Sequence, residues 1–156
     1  MSVGSSGVSA VIPRLFCRDV EREINFCVAT FNAVEIVRRP GRDGTPAHAM
    51  ILLGPVRLFL DSEWPGLPSR APQPDGSSPL VMYVYVKDVE KTVRRAVAAG
   101  ARILRPVDNQ LWGDQIGWII DPEGHVWIIA TRIEEVPLVE IDKRWSAMLS
   151  RPESKG

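Results

Sequence analysis

Residues 18–22 (RDVER) return at 87–91 as KDVEK, 69 positions later. Arg39-Pro40 is echoed by Arg105-Pro106, and Gly54-Pro55-Val56 by Gly124-His125-Val126. A chain that repeats itself in order is read first as two copies of one unit. In each copy the repeated acidic residue, Asp19 or Asp88, stands where an N-cap belongs. The first copy continues with Val20, Ile24, Cys27, Val28 and Phe31 at helical spacing. Each copy also closes on a hairpin. The stronger one is 114–131, DQIGWIIDPEGHVWIIAT, with a tight turn at Asp121-Pro122-Glu123-Gly124. Proline presets the φ of a turn's second position, and glycine tolerates the positive φ that closes it. The weaker one is 47–61, AHAMILLGPVRLFLD, turning at Gly54-Pro55.

In order, the chain reads as a disordered leader (1–10), a first β-α-β-β-β module (11–61) and a Pro-rich linker or lid (62–79). A second β-α-β-β-β module (80–131), a C-terminal helix (132–149) and a loose tail (150–156) follow. Asn32 suits the left-handed position that ends the first helix, and Gly100 ends the second. The linker, SEWPGLPSRAPQPDGSSP, carries five Pro and exceeds most loops within compact domains. In the C-terminal helix Leu138, Ile141, Trp145 and Met148 form a helical stripe. It packs on its own domain or forms a dimer contact.

Several function classes are excluded. Lys+Arg (19) balance Asp+Glu (19), which argues against non-specific nucleic-acid binding and against an anionic membrane surface. No apolar run approaches the roughly 20 residues of a membrane span. The first residues lack the charged and apolar regions of a signal peptide. With two Cys and no export signal, a cytoplasmic protein with reduced thiols is expected. There is no Ser-His-Asp motif, phosphate-cradling glycine loop or CxxC.

A duplicated β-α-β-β-β unit with a DPxGHxW hairpin resembles the vicinal oxygen chelate superfamily, in particular its glyoxalase/bleomycin-resistance-like branch. The resemblance is carried by Pro13, Arg18-Asp19, His48-Ala49, Gly54 and Val86-x-Asp88-Val89. It continues through residues 96–101 (AVAAGA), Arg105-Pro106-Val107, Trp112-Gly113-Asp114 and Asp121-Pro122-x-Gly124-His125-x-Trp127. It implies an α+β fold in which two modules with curved mixed sheets form an open cup. In metal-dependent relatives His and Glu or Gln side chains hold a divalent metal there. Those positions fall on Ile12, Phe59 (or Leu58, one residue along the register), Val81 and Ile128, all hydrocarbon. A divalent metal needs N, O or S donors. No metal site and no cofactor are therefore expected.

Strand alternation sorts the remaining faces. Val11, Leu15, Cys17, Ala49, Ile51, Leu58, Leu60, Met82, Val84 and Val86 are expected under the helices. A four-residue turn in the last hairpin adds Trp118, Ile120, Trp127 and Ile129. The cup then receives Arg14, Phe16, His48, Met50, Leu52, Arg57, Phe59, Asp61, Tyr83 and Tyr85, with Gln115, Gly117, Ile119, Val126, Ile128 and Ala130. Trp64 and Trp112 sit in loops that can cover its opening. Cys17 and Cys27 read as buried thiols, and His125 as a turn residue bonding backbone. Aromatic walls with few polar handles (Arg14, Arg57, Gln115) suit a flat or hydrophobic small molecule. The primary expectation is a metal-independent small-molecule-binding homodimer of the bleomycin-resistance type, which sequesters an aromatic or amphipathic toxic compound. The alternative is a lyase, isomerase or transferase of the superfamily using His48–Asp61 as a general base or holding a relocated metal. A third reading is a partner-binding module whose contact is the C-terminal helix.

Overall fold

A computed structural model describes residues 7–153. Positions 1–6 of the expected leader and 154–156 of the expected tail lie outside the described residues. The first module is β1 (Arg14–Cys17), α1 (Val20–Phe31), β2 (Val34–Pro40), β3 (Pro46–Leu53) and β4 (Val56–Ser62). The second is β5 (Val81–Tyr85), α2 (Val89–Ala98), β6 (Arg102–Asn109), β7 (Asp114–Ile120) and β8 (Val126–Arg132). The chain ends in α3 (Leu138–Leu149), six residues later than the boundary expected at 132. Each module forms a four-stranded mixed sheet, β1-β4-β3-β2 and β5-β8-β7-β6. In each the first strand runs parallel to the last, because the helix carries the chain back across the sheet.

Local chemistry sets the helix ends. The Asp19 carboxylate accepts from the Arg22 N–H, and Asp88 does the same for Lys91. Asn32 ends α1 at φ 54°, the left-handed cap read from its sequence position.

The helix-facing sides of both sheets share one core. Leu15, Cys17, Ile24, Phe26, Ala49, Ile51, Leu58 and Leu60 from the first module join Val89, Val93, Ile119, Trp127 and Ile129 from the second. Trp127 of β8 lies between the modules, its ring 4.9 Å from that of Phe31 and 6.4 Å from that of Phe26. Val11, expected in this core, precedes β1 and is 83% exposed, since no partner strand extends that far.

The last hairpin differs by one residue from its expected pairing. Ile120 pairs with Val126 and Ile119 with Trp127, so His125 joins the turn. The Asp121 N–H donates to the His125 carbonyl, which closes a five-residue loop. A one-residue slip turns over a whole strand. Ile116, Trp118 and Ile120 therefore occupy the cup side of β7, while Gln115, Gly117 and Ile119 occupy the helix side. The assignments for β1, β3, β4, β5 and β8 hold from Arg14 onward.

The Pro-rich segment 62–79 is a strap along the module boundary. Its Pro72 carbonyl accepts from Arg18 of the first module, and its Pro74 carbonyl accepts from Arg102 of the second. Ala71 is buried.

Candidate functional site

On the cup side of the first module, β1, β3 and β4 bring together Arg14, His48 and Asp61. Register puts Arg14 beside Phe59, Phe16 beside Asp61, and His48 opposite Asp61. Asp61 is buried and holds two partners at once. Arg14 donates from Nε at 2.8 Å and from Nη2 at 3.2 Å, and His48 Nδ1 lies 2.9 Å from Oδ1. The ion-paired carboxylate favours the tautomer with the proton on Nδ1, which leaves the lone pair on Nε2. The Phe59 ring is 5.6 Å from the imidazole, and the Arg14 guanidinium lies 5.3 Å from the Phe16 ring. Arg57 is on the same face but exposed, four residues down β4 from Asp61.

The second module builds a denser cluster around a residue outside the predicted site. Asp114 opens β7, faces the cup and is fully buried. Its Oδ2 accepts from the Tyr83 and Tyr85 hydroxyls, each at 2.6 Å, and from Trp112 Nε1 at 3.1 Å. Its Oδ1 accepts from Arg132 Nε at 2.6 Å. Arg132 also donates to the Tyr85 hydroxyl, and Trp112 to that of Tyr83. Burial acts to raise the Asp114 carboxyl, but these donors outweigh it and hold the group below its usual range. Burial and the bond to Asp114 push the Tyr83 phenol up. The two tyrosine rings lie 5.4 Å apart, and Tyr83 and Tyr85 as residues remain 40% and 54% exposed. Beneath them Ile116, Ile128 and Ala130 form a second apolar cluster with Val81, Trp112 and Trp118. The signal for Asp114 and Arg132 was a charged residue at each open end of an otherwise apolar hairpin. Arg132 lay one residue past the expected module boundary.

Two predicted site residues fall elsewhere. Gln115 pairs with Thr131 on the helix side of β7, a consequence of the longer turn. Trp64 lines a cleft of about 990 Å³ with Arg18, Arg22, Arg42 and Glu63 at the N-terminal end of α1. Because β4 runs parallel to β1, the chain leaving β4 emerges where α1 begins. Trp112 does lie on the cup side. The two cysteines are buried and unpaired. His125 Nε2 lies 2.9 Å from the Phe16 carbonyl, so it bonds backbone across the modules.

The metal positions read from the sequence do not fit a metal. Phe59, Val81 and Ile128 present hydrocarbon to the cup, and Ile12 precedes β1. Among the described residues no group of three His, Cys, Asp or Glu side chains is arranged to hold one. No helix among them is long and apolar enough to cross a membrane.

Within one chain the two cup faces remain apart. Across the modules α1 packs against α2, and β1 and β5 do not adjoin. The cup-side apolar cluster of the second module is separate from the shared core.

The model of the Glyoxalase/Bleomycin resistance protein/Dioxygenase superfamily matches residues 9–129. An uncharacterized protein of Mycobacterium tuberculosis (strain ATCC 25618 / H37Rv) is 35% identical over 141 residues, covering 88% of this chain and 83% of that one. The crystal structure of TioX from a Micromonospora species is similar, with TM-score 0.63 and 27% identity over 81% of this chain and all of that one. A glyoxalase/bleomycin resistance protein/dioxygenase from Nocardioides shares the fold at 21% identity, with TM-score 0.63 over 87% of this chain and 91% of that one.

Proposed function

Because the chain belongs to the glyoxalase/bleomycin resistance protein/dioxygenase superfamily, we propose that it is a metal-independent small-molecule-binding protein that works as a homodimer. Its ligand is aromatic or amphipathic, and sequestration of a toxic compound is the role that fits. The observation that carries this reading is the Asp114 cluster. Four donors on one buried carboxylate lock Tyr83, Tyr85 and Trp112 in place while the tyrosine rings stay open to solvent. Rigid aromatic surface with its polar atoms already satisfied favours stacking of a flat ligand over chemistry on it. Arg14 and Arg57, on the cup side of the first module, supply positive handles. The separated cup faces support the dimer, since a second chain would close what one chain leaves open. Two buried free thiols suit a reducing cytoplasm.

Calorimetric titration with a panel of flat aromatics headed by 2-naphthoate tests this. Saturable binding to the metal-free protein, with the compound recovered unchanged, is the expected result. No binding by any member, or turnover of one, removes the proposal.

A second reading is favoured by one distance. His48 Nδ1 at 2.9 Å from an ion-paired carboxylate, with the lone pair left on Nε2, is a general-base arrangement for a lyase, isomerase or transferase. Product formation that disappears in His48→Gln while binding persists would establish it.

A further inference from the structure

The cleft beside Trp64 takes no part in either cup face. Three stretches far apart in the chain build it: the start of α1, the loop between β2 and β3, and the chain leaving β4. Val20 and Ala47 line it and are buried, and Pro46 and Pro65 extend its apolar wall. Trp64 also lines it, stays 36% exposed, and has no acceptor for its indole N–H among the described residues. At about 990 Å³ the cleft reaches the upper end of small-molecule sites, about 300–1,000 Å³.

Its acceptors are spent and its donors are not. Glu21 pairs with Arg38 at 2.9 Å, and Glu63 with Arg70 at 3.6 Å. Asp43 accepts from the Thr45 N–H and hydroxyl inside its own loop. The end of α1 is taken as well. The Arg18 and Asp19 N–H groups go to Glu123, and the Arg22 N–H goes to Asp19. The Arg22 guanidinium pairs with Glu123 at 3.1 Å. Two guanidinium groups remain without a carboxylate among the described residues. That of Arg18 donates only to the Pro72 carbonyl, and that of Arg42 has no partner. The loop that carries Arg42 is already ordered, because the Gly41 N–H donates to the Thr45 carbonyl at 2.8 Å and the Gly44 N–H to the Gly41 carbonyl at 3.1 Å. A pre-ordered cation costs less to engage.

The internal repeat supplies a second observation. In the second module the matching corner is closed by the chain itself. The Ile133 and Glu134 N–H groups, just past β8, donate to the Gly113 carbonyl of the loop before β7. In the first module no backbone hydrogen bond among the described residues joins the loop before β3 to the chain leaving β4, and the corner stays open.

We propose that this cleft is a second ligand site, separate from the cup, for a flat aromatic compound that bears an anionic group. Arg42 and Arg18 hold the anion, for which the guanidinium fork is suited, and Trp64 stacks on the ring. The site depends neither on the cup reading nor on a dimer.

Calorimetric titration of the full chain with AMP tests it, beside the two halves of that probe, adenosine and inorganic phosphate. AMP should saturate, and each half should bind about tenfold more weakly or worse, since each lacks one of the two contacts. Arg42→Ala should weaken AMP binding about tenfold, the loss expected of a charge-assisted pair. Trp64→Ala should do the same through lost stacking. Tyr83→Ala, on the cup, should leave AMP binding unchanged. AMP that fails to bind at about 5 mM overturns the site. So does binding that survives Arg42→Ala, or that is lost in Tyr83→Ala, which would put AMP in the cup. Phosphate bound as tightly as AMP would make this a bare anion site and overturns it too. Should Trp64→Ala unfold, Arg42→Ala still decides, because the Arg42 guanidinium holds nothing else among the described residues.

Discussion

Tyr83 and Glu23 separate binding from stability at the scale of single residues. Tyr83 is on the outer layer of the cup, and its ring covers little of the shared core. Tyr83→Ala should therefore weaken 2-naphthoate binding tenfold or more, about 1.4 kcal/mol, while moving the melting temperature little. If it only destabilises, the cup assignment is wrong. Glu23 does the reverse. It is fully buried in α1 and accepts from Cys27, with Oε2 unsatisfied. Burial, with Asp121 and Glu123 alongside, pushes its carboxyl well above the usual range. Asp121 is held by the Glu123 and His125 N–H groups and by Trp127, and Glu123 by Arg22 and the Arg18 and Asp19 N–H groups. Cys17, Cys27 and His125 complete the surroundings. The folded state thus binds a proton that the unfolded chain releases near pH 4.5. Stability from this group is full below that pH and falls as pH rises toward its folded value, by up to about 1.4 kcal/mol per pH unit. Glu23→Gln removes that slope. Urea unfolding of both proteins from pH 4.5 to 8 measures it, and parallel curves would refute the assignment.

Turns decide the site at the scale of elements. The five-residue loop at 121–125, rather than a four-residue one, sets which side of β7 faces the cup. Asp114 reaches the tyrosines because of that extra residue, and Gln115 does not. The other end of β7 is held at Gly113, with φ 97° and the Glu134 carbonyl packed where a Cβ would stand. The Gly113 carbonyl also accepts from the Ile133 and Glu134 N–H groups, which steers the chain toward α3. Gly113→Ala combines a left-handed alanine with a backbone clash and should cost more than about 2 kcal/mol. Gly44→Ala, at φ 83° with open space around it, should cost about 1 kcal/mol. Equal losses in chemical denaturation would mean that the Gly113 contact contributes nothing.

At the scale of the whole molecule the two modules should unfold as one cooperative unit, because their helix sides share a core that includes Trp127. Calorimetry should show a single transition. Trp127→Ala should lower it by about 3–5 kcal/mol without splitting it; two separated transitions would contradict a shared core. Metal content belongs to this scale as well. Protein purified without chelator and offered Zn, Mn, Fe, Ni and Co should retain far less than one metal per chain. One tightly held metal per chain would undo the binding-protein reading. Much of this architecture was legible in the letters. The repeat, the two acidic caps, the Asn32 end of α1 and the His48–Asp61 pairing depend on neighbours in sequence or on a hairpin with a short turn. Such features are set by local sterics and by alternation. The side chains of Asp114 and Arg132, the strap at 62–79 and the place of Trp64 depend on which strands run parallel and which surfaces the modules bury between them. Those are contacts between residues far apart in the chain, and one residue more or less in a turn changes them. The amino-acid order by itself determined two β-α-β-β-β modules with hydrocarbon at the metal positions. Only the packing of helix side on helix side decided that both cup faces look outward, because that packing alone buries Trp127.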